Sequence, residues 1–140
     1  MTQDLNQKYG RPDRSAYAVV TGGSDGIGLE MCHQLAEQGF NICIISRSKQ
    51  KIDTKLQEIR EKFPTCKTVG VECDFSKITT VQAYRDLVQK NIAQLDIGVL
   101  CLNAGLIKTG CIGEIKDDRL EAVWNVNCLS PIYLLQAMTN

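Results

Sequence analysis

The sequence has 140 residues, 44% of them hydrophobic, which suits one domain with a buried core and is too short for two ordinary ones. Its 16 Lys and Arg balance 16 Asp and Glu, so there is no net field to gather nucleic acid or an anionic membrane surface. The longest apolar runs, Ile42 to Ile45 and Val99 to Leu102, are strand-sized and fall far short of the roughly 20 residues of a membrane helix.

Met1 to Arg14 are polar and lack the apolar stretch of a secretory signal. This predicts a polar arm over 1–14, one domain over 15–140 and a cytoplasmic location. Tyr17-Ala18-Val19-Val20 is a continuous apolar run ending at a glycine-rich segment, as expected for a strand buried on both faces. Ile27, Met31 and Leu35 then recur every four residues beside Cys32 and Ala36, and Gly39 stands where a left-handed cap would close the helix. Ile42 to Ile45 repeats the strand signal, and Ile52, Leu56, Ile59 and Phe63 trace a helical stripe that Pro64 ends. Thr68 to Val71 and then Val81, Tyr84, Val88 and Ile92 make a third strand and helix. Gly98 to Leu102 is the fourth strand. A glycine-containing stretch from Asn103 to Gly113 leads to a last helical segment, N-capped by Asp117 or Asp118, with Leu120, Val123 and Trp124 on one side. Strict alternation of strands and helices demands parallel pairing, so the fold class is α/β, a doubly wound parallel sheet.

The seven cysteines are irregularly spaced and odd in number, without a C-x-x-C, which argues against a disulfide framework. Cys43 and Cys101 lie in strand runs, where a thiol acts as a small hydrophobe. His33, beside Cys32, has no second ligand at metal spacing, so it is expected on a helix surface and no metal site is expected.

The chemistry concentrates in Thr21-Gly22-Gly23-Ser24-Asp25-Gly26-Ile27-Gly28, between the first strand and the first helix. Glycines at 22, 26 and 28 allow a sharp turn, a close approach of backbone to a pyrophosphate, and tight packing of helix on strand. The helix N-terminus adds free amides and a positive dipole end. This T-G-x-x-x-G-I-G pattern resembles the cofactor signature of the short-chain dehydrogenase/reductase family. Leu102-Asn103-Ala104-Gly105 resembles the family's N-N-A-G, with Leu102 replacing the first asparagine. Val126-Asn127 resembles the segment carrying the asparagine of its active-site tetrad. Tyr9-Gly10, Ile45 to Ser48, Cys73 to Phe75 and Leu95 to Leu100 are similar to the hydroxysteroid dehydrogenase and very-long-chain 3-oxoacyl-CoA reductase branch.

The resemblance implies a Rossmann fold and hydride transfer between a nicotinamide and a ketone or alcohol carbon. An NAD enzyme places a carboxylate after the second strand. Here Ser46-Arg47-Ser48 supplies a guanidinium and two hydroxyls, which favours NADP(H), although Asp25 occupies a position where some NADP-dependent relatives carry a base. Asp74, with Cys73 and Phe75 beside it, is implied at the adenine, or else caps the next helix. Asn103, Ala104 and Gly105 are implied at the nicotinamide ribose, with Asn103 also able to tie neighbouring strands. Asn127 is implied to support a catalytic lysine through water, or is a buried helix amide. The family's Tyr-x-x-x-Lys is not present: Tyr9, Tyr17, Tyr84 and Tyr133 are followed four residues on by Asp13, Thr21, Val88 and Ala137. Two expectations follow: the cofactor-binding part of a longer NADP(H)-dependent reductase, inactive by itself, or a non-catalytic dinucleotide-binding or structural subunit. Leu129, Ile132, Leu134, Leu135 and Met138 are implied in a homo-oligomer interface, or face core in the rest of a longer chain. Left uncovered, they predict self-association. The closer branch also implies association with the endoplasmic reticulum.

Overall fold

The computed structural model describes residues 5–139 except 12 and 14. They fall into two compact units, one built from Met1–Cys73 with Leu95–Asn103, the other from Asp74–Gln94 with Ala104–Asn140.

The first unit holds α1 (Leu5–Tyr9), β1 (Tyr17–Thr21), α2 (Gly26–Glu37), β2 (Asn41–Ser46), α3 (Lys49–Lys62), β3 (Thr68–Glu72) and β4 (Ile97–Cys101). The strands form one parallel sheet in the order β3-β2-β1-β4. Parallel strands tolerate continuous apolar runs because both faces are covered. Ala18, Val19, Val20 and Ile42 to Ile45 are accordingly all fully buried. One face packs with α2 and α3 into a core of Ala18, Val20, Cys32, Leu35, Ile42, Ile44, Ile52, Leu56 and Ile59. Burying each of the larger aliphatic side chains contributes about 1.5–3 kcal/mol before chain entropy is set against it.

The helix stripe of α2 is offset from the expected one. Ile27 and Met31 are exposed, and the buried side is Gly28, Cys32, Leu35 and Ala36. Gly28, Cys32 and Leu35 also follow helical spacing, and the missing side chain at Gly28 lets this line rather than the Ile27 line lie against the sheet. Gly39 takes φ 92° directly after the helix, as a left-handed cap requires. His33 is half-buried beside Phe63, with Nδ1 sequestered and unpartnered, so the expected surface position is corrected. Its turn of α2 lies close to the end of α3, a proximity with no signature in the local sequence.

Within residues 1–14, α1 is docked on this unit. The Leu5 amide donates to Gln38 Oε1 at 3.1 Å, and Leu5 packs against the core. A bulge lies between β1 and β4: Tyr17 pairs with Ile97 and Ala18 with Val99, leaving Gly98 as the extra residue. A Cβ at Gly98 would collide with the Tyr9 carbonyl oxygen, so the bulge glycine is what admits the end of α1.

The second unit contains α4 (Val81–Asn91), α5 (Asp117–Trp124), a π-helical segment (Asn125–Leu129) and α6 (Ser130–Met138). Helices α4 and α6 pack together, with Tyr84 fully buried, stacked on Phe75 and edge-on to Tyr133. Neither Asp117 nor Asp118 is the N-cap of α5. Lys116 holds that position without a side-chain bond, and the two acids occupy the first turn, where their negative charge interacts favourably with the positive end of the helix dipole. No residue of α5 is buried, and Trp124 is 59% exposed. Among the described residues, no helix is long and apolar enough to cross a membrane, and no cluster of three His, Cys, Asp or Glu could hold a metal.

Burial pushes the Cys32 and Cys43 thiols up to about 12, whereas Cys111 is exposed. At pH 8, iodoacetamide should alkylate Cys111 in the folded protein, with Cys32 and Cys43 reacting only after denaturation. Peptide mass mapping checks this, and early labelling at Cys43 would contradict the buried strand.

Candidate functional site

The sheet order reverses between β1 and β4, and open α/β sheets carry their crevice beyond the carboxyl ends of the strands at such a point. Two side chains join the strands there. Thr21 Oγ1 donates to the Cys101 carbonyl at 3.3 Å, the Asn103 amide donates to Thr21 Oγ1 at 3.0 Å, and Asn103 Nδ2 donates to the Thr21 carbonyl at 3.0 Å. Asn103 thus ties neighbouring strands.

From Thr21 the chain turns through Gly22, at φ 69°, whose amide donates to the Ile45 carbonyl at 2.8 Å. It then enters α2 at Gly26. A Cβ at Gly28 would lie 2.5 Å from both the Gly22 carbonyl oxygen and Asn103 Nδ2, so helix, turn and β4 meet only because this residue is glycine. Above Gly26, by contrast, nothing lies within 4 Å of a built Cβ. Ile27 beside it is 73% exposed. First-turn amides of α2 lack intrahelical acceptors by geometry, and the Gly26 amide is satisfied by its neighbour's side chain, Asp25 Oδ1, at 2.9 Å.

The end of β2 and the first turn of α3 meet this turn within the first unit. Ser24 Oγ and Ser46 Oγ lie 2.8 Å apart and connect the turn to the end of β2. Arg47 is exposed and makes no hydrogen bond or ion pair among the described residues. Ser48 N-caps α3 by accepting from the Lys51 amide at 3.4 Å. Lys51 Nζ reaches Asp25 Oδ2 at 2.8 Å. The Asp25 carboxyl is held below its ordinary value, first by that hydrogen bond and next by the Gly26 amide. A depression of about 330 Å³ opens here, lined by Ser24, Asp25, Gln50, Lys51, Thr54 and Lys55. Sequence reading singled out Asp25 but missed Lys51. The available signal was its place in the first turn after the Ser48 cap.

The remaining candidates belong to the second unit. Asp74 Oδ1 accepts from the Ser76 amide at 3.1 Å and the Ser76 hydroxyl at 2.7 Å, closing a tight Asx turn. The Ser76 hydroxyl bond chiefly holds this carboxyl below its ordinary value, partial burial opposing it. The helix after it is capped by Thr80 instead. Phe75 stacks on Tyr84. Asn127, in the π-helical segment, is exposed rather than buried: its Oδ1 accepts from the Leu106 amide at 2.8 Å, and its Nδ2 donates to the Leu106 carbonyl at 2.9 Å. This two-point clasp holds the segment that follows Ala104 and Gly105. On α6, Leu134 is buried while Ile132 and Leu135 are exposed.

A parallel sheet with a glycine turn leading from its first strand into a helix defines a nucleotide-binding class of α/β protein. The sequence matches the short chain dehydrogenase family over residues 16–140. It is 34% identical over 128 residues to a very-long-chain 3-oxoacyl-CoA reductase of Podospora anserina, covering 90% of this chain and 36% of that protein. It is 37% identical over 137 residues to a very-long-chain 3-oxoacyl-CoA reductase of Caenorhabditis elegans, covering 94% and 41%. The fold matches a 7β-hydroxysteroid dehydrogenase with a TM-score of 0.82 at 26% identity, over 96% of this chain and 48% of that one. It also matches a blue fluorescent protein from a metagenomic library, solved in complex with NADPH, with a TM-score of 0.76 at 30% identity, over 89% and 50%. The chain therefore belongs to the short chain dehydrogenase family. It spans well under half the length of these curated relatives.

Gly28→Ala should lower stability by about 1–3 kcal/mol, the usual cost of overpacking, visible as a lower urea midpoint at unchanged slope. A midpoint equal to the parent's would mean that the turn has room to spare. Asp25, Asp74 and Asp96 are all held below their ordinary carboxyl value, Asp96 chiefly by Arg11. Their contribution is present above the unfolded value near pH 4 and is lost as pH falls through the lower folded values. The urea midpoint should therefore fall as pH drops from about 5 to 3, and Asp74→Asn should make that fall shallower.

Proposed function

We propose that this chain is the dinucleotide-binding part of an NADP(H)-dependent oxidoreductase that interconverts a ketone and an alcohol, with residues 15–140 as the binding domain. The observation that carries the reading is the end of β2. The unpaired, exposed Arg47 stands between Ser46 and Ser48, and Ser46 touches the glycine turn through Ser24. A guanidinium forks onto a phosphate, and hydroxyls complete its coordination.

The local geometry fits a dinucleotide. Space is open over Gly26 at the start of α2, where helix amides favour an anion, and the depression beside the turn is lined by Lys51 and Lys55 as well as Asp25. In this reading Gly22, Ser24, Asp25, Gly26, Ile27 and Gly28 border the pyrophosphate, and Ser46, Arg47 and Ser48 hold the 2′-phosphate. Asn103 fixes the end of β4 through Thr21; Ala104 and Gly105, which follow it in sequence, are assigned to the nicotinamide ribose on the family pattern. Asp74 and Phe75 are assigned to the adenine on the family pattern. Asn127 is the member of the catalytic group that this chain carries, and its side chain is held by Leu106. When bound, the nicotinamide supplies or accepts the hydride.

The names of the curated relatives support a 3-oxoacyl thioester or a steroid as substrate and, with it, a place in lipid metabolism; an association with the endoplasmic reticulum is proposed on the family resemblance alone. The exposed Ile132 and Leu135 support a homo-oligomer.

Calorimetric titration tests the cofactor. NADPH should bind at least about tenfold more tightly than NADH, and Arg47→Glu should remove that advantage while changing NADH affinity little. Equal affinity of the parent for the two cofactors would overturn the reading.

A further inference from the structure

We infer that Lys51 is a second specificity-determining cation of this site, held by Asp25 until a phosphomonoester draws it away. This rests on the NADP(H) reading and adds a residue to it. Four cations follow β2 closely: Arg47, Lys49, Lys51 and Lys55. Lys49 is bound by both oxygens of Asp53 at 2.7 and 2.9 Å, and Lys55 by both oxygens of Glu58 at 2.8 and 2.9 Å, all within α3. Lys51 alone is tied to the glycine turn, through Asp25 Oδ2 at 2.8 Å. It shares the depression with Ser24, whose hydroxyl lies 2.8 Å from that of Ser46, the residue preceding Arg47.

The charges explain why this pair matters. A phosphomonoester brings nearly two negative charges. Asp25 would repel it, and Asp25 is bonded to Gly26 at the start of α2, so it cannot swing far. Lys51 is the group that neutralises this carboxylate. Both side chains are solvent-exposed, 60% and 76%, so the ion pair is weak enough to exchange one partner for another. A bound 2′-phosphate offers Lys51 a dianion in place of a monoanion, and the flexible lysine stem can turn to it while Arg47 grips from the other side. A 2′-hydroxyl gives Lys51 no reason to leave Asp25. The lysine therefore contributes to the difference between NADPH and NADH, not to dinucleotide binding as such.

The test is calorimetric titration of the whole chain with NADPH and NADH, and with adenosine 2′,5′-bisphosphate and adenosine 5′-monophosphate as fragments lacking the nicotinamide. Lys51→Ala should weaken NADPH and the bisphosphate about tenfold and leave NADH and the monophosphate within about twofold. Lys51→Arg should restore most of the loss. Asp25→Asn, whose amide oxygen can still accept from Gly26, should tighten NADPH several-fold. Urea midpoints near the parent's exclude a folding defect. If the parent prefers NADPH and Arg47→Glu abolishes the preference while Lys51→Ala leaves it intact, the role of Lys51 is overturned and the NADP(H) reading survives. If the parent shows no preference, the reading itself falls and Lys51 falls with it.

Discussion

The close approach at Gly28 governs the site. Helix α2 leaves the sheet at an angle that brings its first turn against the Gly22 carbonyl and the Asn103 amide, at a separation no side chain could occupy. The same Asn103 bonds Thr21 twice, so the end of β4, the end of β1 and the start of α2 form one rigid corner. Ser24 and Asp25 take their positions from it: Ser24 faces β2, and Asp25 caps the helix and faces α3. Loosening the corner would displace the turn from Gly22 to Gly28 and, with it, Ser24 and Asp25.

Around this corner the charges are arranged in the opposite spirit. Arg47 is unpaired, and the ion pairs Lys49–Asp53, Lys51–Asp25 and Lys55–Glu58 all lie at the surface, where water screens them and partners exchange at little cost. A stiff backbone cradle thus sits beside adjustable side chains. The backbone sets where an anion rests, and the side chains set which anion is preferred.

Much of this was legible in the sequence because parallel strands buried on both faces leave unbroken apolar runs, and because glycine at 22, 26 and 28 has few other reasons to follow such a run. The Asn103 tie was also legible, since an asparagine at a strand end has a neighbouring backbone within reach. What escaped depended on proximity between distant residues. Lys51 and Asp25 are 26 positions apart, and only the packing of α3 beside α2 joins them. The burial of His33 depends on Phe63 in the same way. The stripe of α2 was misplaced because Gly28 contributes no hydrophobicity to a periodic pattern, although it occupies the most closely packed position. Asn127 was open on sequence grounds between supporting a catalytic lysine and a buried helix amide, and its clasp on Leu106 had no signature in the local sequence.

The π-helical segment between α5 and α6 shifts the phase of the helix that it interrupts. A π turn takes in one residue more than an α turn, and one residue is about 100° of helical rotation. The chain runs on in helical conformation from Asp117 to Met138, yet its two ends are out of phase. Upstream, no residue of α5 is buried; downstream, Ser130 and Leu134 of α6 are buried. The widened turn acts as an indexing step, like a gear advanced by one tooth. Within that step lies Asn127, exposed and bonded to both backbone groups of Leu106. A single-residue deletion within Asn125–Leu129 would reset the index, and the helix could remain fully helical while presenting the wrong surface along its whole second half.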